Sequence, residues 1–328
     1  MATARQLKAL IESYTERNPD RFLSVASQIA AHAARAGKDK LAQDLLKLVE
    51  QARRAVAEAP SASHVVPIAQ PTGELSGLVS ATFPKTQLSD MVLPEEIRLR
   101  LQRVVVEYRQ ADRLQSHGLF PRRKLLLLGA PGCGKSMTAS ALAGELRLPL
   151  LTVQFHTLIT KFMGETAAKL RLVFDAMMKS RGVYLFDEFD AIGAHRQGGN
   201  DVGEIRRVLN SFLIFLEHDE SGGLIISASN LECALDPALF RRFDDVLRYG
   251  MPTREMTKRL IASRLAAFDT ARLGWKLVLD VAEGMSHADI VKACEDAAKE
   301  AVLHDRRRIL SADLKLAMTQ RHRPFKSS

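Results

Sequence analysis

Eight consecutive residues carry the densest chemistry in the chain. Gly129-Ala130-Pro131-Gly132-Cys133-Gly134-Lys135-Ser136 has the spacing GxxxxGKS, which suits a backbone wrapped around a phosphate. Glycines allow the tight turns that aim successive N–H groups at one anion, and a helix starting at the end of the loop adds partial positive charge. The flanks are right for this. Leu125 to Leu128 are an apolar run of buried-strand length, and Met137 to Ala143 are alanine-rich and helical in pattern. Gly129, Pro131, Gly132, Cys133, Gly134, Lys135, Ser136 and Met137 are therefore the expected nucleotide-binding stretch. Lys135 is expected to reach the β- and γ-phosphates, and the Ser136 hydroxyl to ligate magnesium.

A second cluster supplies acids. Val183-Tyr184-Leu185-Phe186 is an apolar strand that ends in Asp187-Glu188. A buried strand can deliver a carboxylate beside a phosphate loop, so Asp187 is the candidate metal holder. Glu188 is the candidate base that orients and polarises an attacking water. Loop and acids together predict a site that hydrolyses a nucleoside triphosphate with Mg²⁺; the resemblance described below implies that the nucleotide is ATP.

These residues need a scaffold, and the alternation of apolar runs describes one. Leu125–Leu128, Leu150–Phe155, Val183–Phe186, Leu224–Ser229 and Val246–Tyr249 read as strands. Lys135–Leu146, Thr166–Lys179 and Val202–Leu216 read as helices between them. This predicts an α/β fold: a parallel sheet with helices on both faces over residues 91–250 and the site at the carboxyl ends of the strands. Before it, Pro94–His117 is a helix whose arginines, Arg98, Arg100 and Arg103, read as a solvated face. After Pro252 the pattern is helical throughout, giving a C-terminal helical lid with a basic tail over 251–328. Ser286, with Asp289 three residues on, and Ser311 are expected helix starts. Residues 1–57 read as a small bundle of two or three helices, either a partner-binding module or a packing extension of the main domain. Residues 58–90, rich in small residues and proline near their start, read as a linker that stays irregular to about Ser89.

Composition agrees with a globular protein: 328 residues, 46% hydrophobic and 26% charged, are enough for a sizeable core and for about two domains. No apolar run reaches the length of a membrane span, and no signal peptide is read at the N-terminus. Three scattered cysteines, Cys133, Cys233 and Cys294, fit a reducing cytoplasm better than a disulfide framework. The net charge is +9, and the stretch Asp305–Ser328 holds seven Lys or Arg against two Asp. Such a tail is either a solvated helix end or a nucleic-acid contact, but no aromatic residues interleave with it as a single-strand surface requires.

The phosphate loop and the Asp-Glu strand together resemble an ATPase of the AAA+ superfamily, and Ser229 to Phe243 is similar to the AAA family proper. Ser229-Asn230 stands where that family places a polar sensor of the γ-phosphate and the attacking water. Leu235-Asp236-Pro237-Ala238-Leu239-Phe240-Arg241-Arg242-Phe243-Asp244 resembles its second region of homology. The resemblance implies that Asn230 positions the water and that Arg241 and Arg242 act as arginine fingers in the next subunit's site. Phe-Arg-Arg-Phe replaces the more usual Arg-Pro-Gly-Arg-Phe, as in the severing and scission branch, and leaves open which arginine dominates. Lys161-Phe162-Met163-Gly164 resembles the pore loop that grips polypeptide in ring unfoldases, with Gly164 expected in a tight exposed turn; a Phe-Met pair packed in the core is the alternative. Gly193–Glu204 would be a second pore-facing loop. Gly284-Met285-Ser286-His287-Ala288-Asp289 resembles the family's lid turn, which implies that Gly284 and Ser286 border adenine and ribose. His287 reads as a helix-start residue, and His156 and His195 as structural or solvated. Cys133 reads as a small filler whose position in the loop makes alkylation sensitivity an expectation.

The resemblance covers about residues 88 to 320. It implies a homo-oligomer, a hexameric ring, that threads or remodels a protein partner. The single-module layout is also similar to small bacterial AAA proteins that work beside a separate subtilisin-like protease. An ATP-gated regulator of an effector and a nucleic-acid-stimulated motor are the alternative expectations.

Overall fold

The chain divides into two compact units, Met1–Ile68 and Ala69–Ser328. The computed structural model describes residues 77–154, 163–189, 201–230 and 237–321, with Gln43, Lys47 and Leu75. The N-terminal bundle expected at 1–57 lies outside the described residues, apart from Gln43 and Lys47, both helical. The second unit carries the site.

Its centre is a six-stranded sheet in the order β1-β3-β4-β5-β2-β6. The strands are β1 (Val79–Thr82), β2 (Lys124–Gly129), β3 (Leu150–Gln154), β4 (Val183–Asp187), β5 (Leu224–Ser229) and β6 (Asp245–Tyr249). All neighbours from β3 to β6 run parallel; β1 pairs antiparallel with β3, Val79 opposite Val153 and Thr82 opposite Leu150. The five expected strands are present. β1 was not expected, since its stretch reads as irregular linker. Four residues of edge strand, of which Val79 is buried and Ser80 exposed, are too short to register as an alternation.

Period-two alternation sorts the strand residues onto two cores. Leu126, Leu128, Tyr184, Phe186 and Ile225 face one side, where α4 (Met163–Lys179) and α5 (Asp201–Glu217) cover them. Leu125, Leu127, Leu185, Ile226 and Leu247 face the other, against α1 (Glu95–Arg109) and α3 (Lys135–Leu146). The first core has an aromatic centre: Phe186 and Phe189 lie 5.1 and 5.0 Å from Phe212, and Phe174 stacks on Phe186 at 5.8 Å. The helix expected over Pro94–His117 is broken at Gln110 into α1 and α2 (Ala111–Gln115).

Charges clamp the amino-terminal edge of the sheet. The Arg123 guanidinium donates to Asp219 Oδ2 at 3.1 Å, to Gly223 O at 3.3 Å and to Ser221 O. Asp244 Oδ2 accepts the Arg123 and Lys124 backbone N–H groups at 2.7 and 2.8 Å. Arg100, expected on a solvated face, instead reaches from α1 to Asp245 and donates to Val246 O at 2.9 Å. Arg98 and Arg103 make only surface pairs, with Glu95 and Glu107.

α6 (Pro237–Phe240) precedes β6, and after β6 the lid is helical: α7 (Arg254–Arg264), α8 (Trp275–Val281), α9 (His287–Leu303) and α10 (Ser311–Arg321). α9 runs through its core with Ile290, Ala293, Cys294, Ala297 and Ala301 buried. Burial pushes the Cys294 thiol up to about 12. The basic end is paired within the lid: Arg306 with Asp313 at 2.8 Å, Arg308 with Asp269 at 3.3 Å and Arg321 with Asp296. No helix among the described residues is long and apolar enough to cross a membrane.

Gly144 tests the packing of α3. A Cβ there would come within 2.0 Å of Thr86 O, a backbone atom that cannot swing away. Alanine normally favours a helix over glycine by about 1 kcal/mol, but the clash outweighs this. Gly144→Ala should therefore destabilise the protein by about 1–3 kcal/mol, measured as a lower midpoint in denaturant unfolding; a higher midpoint would refute the contact.

Candidate functional site

The site lies where β2, β5 and β4 end side by side. β5 stands between the other two, with Leu128 opposite Ser229 and Phe186 opposite Ser227. Sheet order therefore places the residue after β5, Asn230, between the loop that follows β2 and the acids that end β4.

The loop has the conformation its glycines predict. Gly129, Gly132 and Gly134 have φ of 149°, 78° and 99°, values that side chains disfavour. Gly129 also has no room for a Cβ, which would meet Tyr249 O at 2.3 Å. Lys135 opens α3, is buried, and donates from Nζ to Gly129 O at 2.6 Å, Ala130 O at 3.0 Å and Asn230 Oδ1 at 2.8 Å. The ammonium is thus held over the loop and tied to the end of β5. Pro131 and Ser136 are exposed and Met137 is half-buried. Below the loop, Thr138 Oγ1 lies 2.8 Å from Tyr249 Oη, and burial pushes that phenol's pKa up.

The acids stand opposite the first helical turn. Ser136 Oγ donates to Asp187 Oδ2 at 2.8 Å, and Glu188 N–H donates to Asp187 Oδ1 at 2.9 Å. Glu188 is exposed, with φ of 54°, a left-handed conformation unusual for a residue with a Cβ. Phe189, fully buried in the aromatic core, fixes the chain directly after it. A hydroxyl and one carboxylate, both oxygen donors within hydrogen-bond reach, fit a magnesium ion that takes its remaining ligands from phosphate and water. Among the described residues no group of three His, Cys, Asp or Glu is placed to hold a metal ion.

The lid touches the loop at Gly132. Ala288 N–H donates to Gly132 O at 3.0 Å. A Cβ on Gly132 would lie 2.5 Å from Ser286 Oγ and 3.1 Å from Ala288 Cβ. Ser286 caps α9, accepting from Asp289 N–H at 3.2 Å and donating to Asp289 Oδ2 at 2.7 Å. Ser286 is therefore committed to the cap and to packing on the loop, while Gly284 turns the chain with φ of 79° and is exposed. Sequence reasoning missed the contact between lid and loop, because a glycine required by phosphate geometry hides a second reason for being glycine.

Arg241 and Arg242 stand elsewhere. They precede β6, whose first residue pairs with Leu125 at the start of β2. They are thus at the amino-terminal edge of the sheet, about 16 Å of strand away from the loop that ends β2. Arg242 pairs with Glu217 at the end of α5 at 3.4 Å, and its N–H donates to Leu239 O at 3.1 Å. Arg241 is exposed and has no ion pair among the described residues. Phe243, buried in the aromatic-centred core, anchors the turn that presents it.

Of the expected pore loop, Lys161 and Phe162 lie outside the described residues. Met163 and Gly164 open α4, so Gly164 sits in a helix and not in the expected exposed turn. The residues from Thr166 on carry an apolar stripe that extends the helix back over the glycine. The second expected loop, Gly193–Glu204, is outside the described residues up to 200 and helical from Asp201. His156 and His195 also lie outside them.

The sequence model of the family described as ATPase family associated with various cellular activities (AAA) matches residues 125–251. An uncharacterized AAA family ATPase, y4kL of Sinorhizobium fredii, is 35% identical over 97% of this chain and 95% of its own length. The ATP-dependent zinc metalloprotease FtsH of Neorickettsia risticii is 29% identical over 73% of this chain, which spans 39% of that protein. The proteasome-activating nucleotidase of Methanothermobacter thermautotrophicus is 29% identical over 67% of this chain and 56% of its own length. Among solved structures, the FIGL-1 AAA domain superposes with a TM-score of 0.60 at 22% identity, covering 77% of this chain and 88% of that one.

The structure corrects one expectation about the loop. Cys133 is 1% exposed, its Sγ lies 3.9 Å from Met251 Sδ, and burial pushes its thiol up against the opposing pull of Lys135. A hidden, protonated thiol is a poor nucleophile. Native protein treated with iodoacetamide at neutral pH should leave Cys133 largely unlabelled, and unfolded protein should label it fully, as read by peptide mass spectrometry. Rapid native labelling would refute this burial.

Proposed function

The chain belongs to the AAA family of ATPases, and from that premise we propose that it works as a hexameric ring that hydrolyses ATP at its subunit interfaces to remodel or thread a polypeptide. The position of the arginine pair carries this reading. Arg241 and Arg242 lie at the edge of the sheet opposite their own phosphate loop, so they can serve phosphate chemistry only in a neighbouring subunit. The two arginines divide the work. Arg242 is held in its own subunit by Glu217, and exposed Arg241 is the finger that crosses.

Within one site, Lys135 holds the phosphates, with its ammonium already directed by Gly129 O, Ala130 O and Asn230 Oδ1. Ser136 and Asp187 would hold magnesium, which when bound neutralises charge on the phosphate oxygens. Glu188 takes a proton from the attacking water, and Asn230 orients that water. The guanidinium of the adjoining subunit's finger stabilises the charge that builds on the γ-phosphoryl group, so turnover waits on assembly.

A polypeptide load is favoured over a nucleic acid. Three of the seven basic residues in the tail are already paired with lid carboxylates, which reduces the electrostatic footprint a nucleic acid would need. Two relatives, an ATP-dependent protease and a proteasome-activating nucleotidase by name, couple this kind of module to proteolysis. A separate protease is accordingly the partner class proposed for this chain, with Phe162 gripping the polypeptide in the pore.

Two experiments decide the proposal. Glu188→Gln should bind ATP with unchanged affinity while steady-state hydrolysis falls by about 10²-fold or more; undiminished turnover would remove Glu188 from the mechanism. Arg241→Ala should also lose hydrolysis, by about 10³-fold, with nucleotide affinity intact, and Arg242→Ala should lose less. Mixing Arg241→Ala with Lys135→Ala subunits should restore measurable hydrolysis, because some interfaces then combine an intact finger with an intact loop. A mixture as inactive as its parts would rule out action across the interface.

A further inference from the structure

One residue of β6 backs both ends of the phosphate loop. Gly129, which opens the loop, stands opposite Tyr249 in the parallel pairing of β2 with β6. The two chains lie so close there that a Cβ on Gly129 would meet Tyr249 O at 2.3 Å and Tyr249 Cβ at 2.9 Å. At the far end of the loop, the phenol Oη of the same tyrosine lies 2.8 Å from Thr138 Oγ1, in the first turn of α3. Two residues beyond Tyr249, Met251 Sδ meets Cys133 Sγ at 3.9 Å, within the loop itself.

The hydroxyls have a fixed order. Gly134 O can only accept, and Thr138 Oγ1 donates its one hydrogen to it at 3.0 Å. Thr138 Oγ1 must then accept from Tyr249 Oη, so the relay runs from phenol to hydroxyl to loop carbonyl. Both side chains are buried. Gly134 is the loosest joint of the loop, a glycine with φ of 99°. Its carbonyl and the Lys135 N–H are opposite ends of one trans peptide group. Holding the oxygen against α3 therefore aims the N–H the other way, into the loop. The Thr138 N–H, at 2.9 Å, holds the same oxygen from within the helix. The relay adds a restraint anchored outside the helix, in the sheet.

We propose that Tyr249 is a positioning residue for nucleotide binding, which through Thr138 holds the Gly134–Lys135 peptide in the orientation that receives the nucleotide's phosphates. A phenylalanine would pack equally well beside Gly129, but it would leave the loop carbonyl to α3 alone. Burial pushes the phenol's pKa up, so it remains a donor through the neutral range. The inference rests on the phosphates lying in the Gly129–Ser136 loop and is independent of the ring and finger proposals.

Steady-state ATP hydrolysis and equilibrium titration with ADP, both on the full chain with magnesium, test it. Tyr249→Phe keeps the ring and removes the hydroxyl. Its KM for ATP and Kd for ADP should rise together by about threefold to tenfold, the worth of one buried hydrogen bond. Thr138→Val breaks both links of the relay and should weaken binding at least as much. Thr138→Ser keeps the hydroxyl and should recover most of that loss. The double variant Tyr249→Phe/Thr138→Val should bind no worse than Thr138→Val alone, because the relay acts as one unit. A phenol that only fills its place in the core would lower the unfolding midpoint or kcat and leave KM and Kd at their wild-type values. That result, or losses that add in the double variant, would overturn the assignment. Wild-type protein that bound no ADP would instead sink the reading of the loop, which Lys135→Ala checks separately by abolishing ADP binding.

Discussion

The site depends on three parallel strands ending level. With β5 inserted between β2 and β4, the strand that carries the phosphate loop is not the neighbour of the strand that carries the acids. The gap is bridged twice, by Lys135 to Asn230 and by Ser136 to Asp187, each at 2.8 Å. A shift of β2 by a single residue would break both bridges and turn every buried side chain of that strand to the wrong core. The fully buried runs Leu125–Leu128 and Leu224–Ile226 thus position the polar atoms at their ends by fixing register.

Charge and apolar packing are separated along the strands. Guanidinium and carboxylate clamps sit at the amino-terminal edge, where Arg123, Asp219, Asp244, Arg100 and Asp245 satisfy one another. At the carboxyl edge the polar groups are held by short backbone and hydroxyl contacts that leave donors and acceptors directed at the loop. The aromatic cluster of Phe174, Phe186, Phe189 and Phe212 lies under that edge and locks the residue on the far side of Glu188. One end of the sheet is stabilised by electrostatics, and the other is kept polar for chemistry.

Much of this was legible in the sequence for a physical reason. Strands buried on both faces read as continuous apolar runs, so β2, β4 and β5 declared themselves, and their terminal residues could be assigned directly. Contacts between distant segments were not legible. β1 owes its strand conformation to pairing with β3, which no local pattern reveals. Arg100 reads as surface until its partner, 145 residues away, is known. Gly164 reads as a break until the apolar stripe of α4 overrides it. The pairing of basic-tail arginines with Asp269, Asp296 and Asp313 is likewise tertiary. Gly132 was placed for its part in the loop, while its fit against Ser286 and Ala288 depends on a lid more than 150 residues further on.

The backbone of Glu188 has a consequence for how this protein can change. Its left-handed φ costs a residue with a Cβ about 1 kcal/mol that glycine would not incur. The proposed general base is therefore one of the few positions where the folded state would gain by losing the side chain. Selection for thermal resistance alone, with no demand for turnover, would drift toward glycine or asparagine at 188. Laboratory evolution of this scaffold would then deliver sturdier proteins with a silent site, unless hydrolysis is scored in every round.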